Sequence, residues 1–71
     1  MSEPIFTLAQ QIAFAQDYIA ELHRAIANYM HLADEATFGN TRPYYLATAS
    51  RFQHFAADAH ASMVEMMERL S

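Results

Sequence analysis

A chain of 71 residues with one glycine, two prolines and no cysteine has room for one small domain, without disulfides or thiolate metal sites. Its four Lys/Arg residues are all arginine and are too dispersed along the chain to form a basic surface that binds nucleic acid. The formal net charge is -4. No signal peptide is recognisable and no apolar run approaches the ~20 residues of a membrane span. We therefore expect a cytoplasmic protein without nucleic-acid or membrane partners.

The first predicted helix covers about residues 4–36. Ser2 is a candidate N-cap, and Pro4 suits the first turn of a helix. Apolar side chains then recur in alternating steps of three and four, which is the a and d pattern of a coiled coil. This seam consists of Ile5, Leu8, Ile12, Ala15, Ile19, Leu22, Ile26, Tyr29 and Ala33.

The segment from Thr37 to Pro43 is the only one with the composition of a turn. It contains Gly39, the single glycine of the chain. Asn40 or Thr41 can cap a following helix, with Pro43 in its first turn. The sequence therefore predicts that the chain reverses direction at Gly39.

The second predicted helix covers about residues 42–70 and carries a seam of the same period. Its members are Tyr45, Ala49, Phe52, Ala56, Ala59, Met63, Met66 and Leu70. Folding at Gly39 brings Tyr29 level with Ala49 and Leu22 level with Ala56, and most layers pair a large side chain with an alanine. The predicted fold is all-α: an antiparallel two-helix hairpin forming one domain over residues 1–71, with Leu8 level with Leu70.

Two further stripes flank this seam on either side. The aromatic flank consists of Gln11, Tyr18, Ala25 and Leu32, facing Thr48, Phe55, Ser62 and Arg69. The histidine flank consists of Ala9, Gln16, His23 and Met30, facing Leu46, Gln53, His60 and Met67. A core this small usually needs oligomerisation, so we expect two hairpins to pair along one flank into a dimeric four-helix bundle. The sequence does not indicate which of the two flanks forms the dimer interface.

Nine side chains are candidates for contact with a second copy or with another protein. They are Tyr18, His23, Met30, Leu46, Phe55, His60 and Met67 on the flanks, and Phe6 and Phe14 on the outer face of the first helix. The alternative for Phe6 and Phe14 is that they cover the end of the bundle and do not contact a partner. The sequence favours a protein–protein interaction module such as a regulator, adaptor, inhibitor or co-chaperone.

Catalytic and metal-binding patterns are weak in this sequence. It has no cysteine or lysine nucleophile, no serine with evident triad support and no glycine-rich phosphate loop. His31 precedes Glu35 by one helical turn, as His54 precedes Asp58, but the histidines do not converge on a ligand set. We expect no enzyme, cofactor or metal. The alternative is a metal- or ligand-binding bundle whose histidines and carboxylates meet between protomers.

Overall fold

The structure, a computed structural model, describes residues 6–37, 39 and 41–71. Helix α1 spans Leu8–Glu35 and helix α2 spans Thr41–Leu70, and the two pack against each other along their length. The predicted all-α helical hairpin is thereby confirmed. Neither helix of this described part is both long and apolar enough to cross a membrane.

Helix α1 begins at Leu8, so the predicted start near residue 4 is wrong for Phe6 and Thr7. The backbone N–H of Thr7 donates to Oε1 of Gln10 at 2.8 Å, and the N–H of Gln10 donates to Oγ1 of Thr7 at 3.1 Å. This capping box satisfies two backbone donors and fixes where the helix starts. The predicted roles of Ser2, Pro4 and Ile5 fall outside the described residues.

The reversal lies between Glu35 and Thr41, where the sequence places it. The N–H of Ala36 donates to the carbonyl of Ala33 and closes α1, while the cap predicted at Asn40 lies outside the described residues. Gly39 does not adopt a positive φ, and a Cβ added there would meet nothing within 4 Å. The turn therefore does not require glycine at position 39 for steric reasons.

The core follows the predicted seam. Its buried side chains are Ile12, Leu22, Ala33, Ala49 and Ala56. The remaining described seam residues are half-buried, apart from Leu70, which is 57% exposed. Leu70 therefore does not complete a closed layer with Leu8. Leu8 is the first residue of α1, so that helix offers no further turn for Leu70 to pack against.

The hairpin is elongated and leaves much of its surface open. Its radius of gyration is 16.3 Å, compared with about 11 Å for a compact domain of this length. Its accessible surface is 5558 Å², compared with about 4500 Å² for a typical monomer of this mass. The excess is similar to the ~800 Å² that one partner buries in an ordinary protein interface.

Candidate interaction surfaces

The aromatic flank is partly covered by the hairpin itself. Gln11, Ala25, Leu32 and Thr48 are half-buried in the described structure. The amide Nε2 of Gln11 donates to the carbonyl of Phe6 at 3.1 Å, and the hydroxyl of Thr48 donates to the carbonyl of Tyr44 at 2.9 Å.

Two large side chains of the aromatic flank remain open. Tyr18 and Phe55 are about half exposed, and the ring of Phe55 lies 6.3 Å from that of Phe52 in the seam. This flank therefore combines satisfied polar groups with a small aromatic surface and, at its far end, the charge of Arg69.

The histidine flank is open along its whole length, since all eight of its residues are exposed. Its ends carry Met30, Leu46 and Met67, whose apolar side chains are each between 41% and 47% exposed. Its centre carries four polar side chains: Gln16, His23, Gln53 and His60. Among residues 6–37, 39 and 41–71, none forms a side-chain hydrogen bond or ion pair with these four.

A groove of about 500 Å³ runs along the centre of the histidine flank. Helix α1 lines it with Ile19, His23 and Ile26, and helix α2 lines it with Gln53, Ala56, Ala57 and His60. The depression forms because two consecutive alanines of α2 lie opposite two isoleucines of α1. This site was not predicted, although the small pair Ala56–Ala57 is visible in the sequence. His23 and His60, which the sequence places on one flank, both line this groove.

A separate aromatic pair joins Phe14 of α1 to Phe6, which precedes that helix. The rings of Phe6 and Phe14 meet edge to face, with centroids 4.9 Å apart and an interplanar angle of 84°. Both side chains remain about half exposed despite this contact. Three exposed large apolar side chains, Tyr44, Val64 and Leu70, were not among the predicted contacts. All nine predicted contact residues are exposed, but they are divided among different faces of the hairpin.

The histidine–carboxylate spacings do not assemble a metal centre within the hairpin. His31 Nε2 lies 3.2 Å from Glu35 Oε1, and both side chains are about two-thirds exposed to solvent. Within the described ranges, no group of three or more histidine, aspartate or glutamate side chains could hold a metal ion. His31 and Glu35 therefore form a solvated surface pair, whose contribution to stability is small.

Comparison of the chain with protein families, with curated proteins and with solved structures finds no match. A functional assignment must therefore come from the geometry and chemistry of these surfaces.

Proposed function

We propose that this chain is a non-enzymatic protein–protein interaction module that works as a homodimeric four-helix bundle. The observation that carries the proposal is the imbalance between core and surface. Three of the five buried side chains are alanines, and no large side chain is fully buried in the described structure. Exposed large apolar side chains are more numerous: Phe6, Phe14, Tyr18, Met30, Tyr44, Leu46, Phe55, Val64, Met67 and Leu70.

Pairing of two hairpins would correct this imbalance. A helical hairpin covers one stripe of each helix, and a second hairpin covers a further stripe, which is why four-helix bundles recur. A bundle face about 45 Å long and about 20 Å wide offers roughly 900 Å² per chain, which suits a standard interface. The open surface of the hairpin is thus large enough to support a stable dimer.

The faces that remain outside such a dimer would contact a different protein. Tyr18 and Phe55 lie on the aromatic flank, and Phe14 lies one helical turn before Tyr18. Exposed aromatic rings are favoured as anchors because they bury much area with little loss of conformational entropy. We propose that a regulator, adaptor, inhibitor or co-chaperone activity would use this aromatic surface.

Light scattering coupled to size exclusion, over a hundredfold range of protein concentration, tests the dimer. We expect twice the monomer mass of 8.1 kDa at the higher concentrations, with helicity by circular dichroism. A well-folded monomer throughout would overturn the proposal.

Binding of a different protein through the aromatic surface is tested by pull-down from the native cell. Phe14→Ala and Phe55→Ala should reduce recovery of a protein that the unmodified chain retains, whereas Arg51→Ala should not.

A ligand-binding bundle is a second candidate, favoured by the groove between His23 and His60. Two imidazoles and the Gln53 amide offer polar groups above an apolar floor, a common composition for small-ligand sites. Imidazole is also a frequent ligand of zinc. Calorimetric titration with Zn²⁺, with His60→Ala as the control, tests this candidate. Absence of binding, together with unchanged thermal stability on adding zinc, would exclude a zinc site.

A further inference from the structure

We propose that the histidine flank is the interface with the second copy, and that the two hairpins meet with their turns at opposite ends. This inference rests on the homodimer proposed above and specifies its surface and orientation. The two-fold axis would cross the groove beside Ile19 and Ala57, perpendicular to the helices.

The first argument is the difference between the two flanks. The aromatic flank is partly buried, and its polar side chains Gln11 and Thr48 already bond to nearby backbone carbonyls, those of Phe6 and Tyr44. The histidine flank is entirely exposed, and its four polar side chains have no partner among the described residues. A surface with open apolar ends, whose polar side chains are free to bond across an interface, is suited to contact with a second copy.

The second argument is charge. No position of the histidine flank carries a charged side chain, whereas Arg69 lies on the aromatic flank. Charged residues are depleted at the centres of interfaces because desolvating them is costly. The histidine flank can therefore be buried without stranding a permanent charge.

The third argument is the symmetry of the pattern. A two-fold interface uses the same patch on both chains, so the patch must be complementary to itself. Along α1 the histidine flank has polar residues at its centre, Gln16 and His23, and along α2 it has Gln53 and His60. Apolar or small residues lie at both ends of each helix, so a rotation about the centre superimposes polar on polar and apolar on apolar.

The polar residues of α1 and those of α2 lie at similar heights along the hairpin, so one two-fold axis can relate both sets to their copies. The Tyr29 ring lies near Tyr45 and Phe52, on either side of Ala49, which supports the predicted register of the seam. In that register, the midpoint between Gln16 and His23 lies about two residues, or about 3 Å, from the level of the midpoint between Gln53 and His60. A single axis between these two levels brings each histidine to within about 3 Å of the level of a glutamine of the other chain.

Side-chain size selects the orientation. With the turns at opposite ends, the small Ala9 of one chain meets the partner's Met30, and Leu46 meets the partner's Met67. With the turns at the same end, Met30 and Leu46 of both chains would crowd one end, while Ala9 and Met67 of both chains would lie at the other. Packing of large against small side chains fills an interface more evenly.

The surface is tested with a matched pair of substitutions on α2. Leu46 on the histidine flank is 41% exposed and Phe55 on the aromatic flank is 46% exposed, so neither is required by the core of the hairpin. We expect Leu46→Glu to weaken dimerisation on the order of a hundredfold, because it buries an unpaired carboxylate. Phe55→Glu should leave the dimer intact. Sedimentation equilibrium measures both, and circular dichroism checks that each variant remains helical.

The orientation is tested by disulfide formation, since the chain has no cysteine of its own. A double variant Leu46→Cys/Met67→Cys should form a covalent dimer on oxidation. The control Thr48→Cys/Arg69→Cys has the same spacing on the aromatic flank and should not. This readout also stands if Leu46→Glu fails to fold.

The outcomes separate the two proposals. A monomeric unmodified chain would overturn the proposed homodimer itself. A dimer that dissociates with Phe55→Glu but not with Leu46→Glu would overturn the histidine-flank interface and leave the homodimer standing. A dimer sensitive to Leu46→Glu whose cysteine pair does not link would overturn the opposite-end orientation.

Discussion

The ring of Tyr29 on α1 lies 5.7 Å from the ring of Phe52 on α2, measured between centroids. Tyr29 also lies 6.1 Å from Tyr45, one heptad before Phe52 on the same face of α2. Ala49, almost fully buried, lies between these two rings along the helix. This aromatic cluster sets the register of the hairpin in the half that lies nearest the turn.

Removal of one ring from this cluster should destabilise the fold. We expect Phe52→Ala to lower the free energy of unfolding by about 2–4 kcal/mol, because it leaves a cavity beside Tyr29 in a small core. Tyr44→Ala is the control: it also removes an aromatic ring from α2, but from an exposed position, and should cost less than about 1 kcal/mol. Urea denaturation at fixed protein concentration measures both. Equal losses would show that this cluster does not organise the core.

The capping box at the start of α1 gives a second prediction. Thr7→Ala removes the acceptor of the Gln10 N–H and should lower stability by about 1 kcal/mol. Thr37→Ala changes an exposed threonine outside both helices and should have little effect. Thermal unfolding followed by circular dichroism compares the two variants, and a larger effect at Thr37 would contradict the role given to Thr7.

The turn gives a third prediction, in the opposite direction. Gly39 has no positive φ, and a Cβ there would meet no atom within 4 Å. Gly39→Ala should therefore raise stability by about 0.4–1 kcal/mol, since it restricts the unfolded chain without straining the folded one. A fall in the melting temperature would show that the turn uses the conformational freedom of glycine after all.

The heptad pattern predicted the hairpin because its physical basis is local. Residues such as Leu22 and Ala56 recur at the spacing that places them on one helical face, and a single turn segment leaves one way to fold. The start of α1 was missed because Pro4 and Thr7 both lie in plausible first-turn or cap positions. The Thr7-x-x-Gln10 capping box was the signal that could have decided between them.

The choice of flank could not be predicted from periodicity. Both flanks carry aromatic or large apolar side chains with polar residues between them. Only the structure shows that Gln11 and Thr48 bond to nearby backbone carbonyls, while His23 and His60 line an open groove. Hydrogen bonding and burial depend on side-chain rotamers and the separation of the helices, which a seven-residue repeat does not specify.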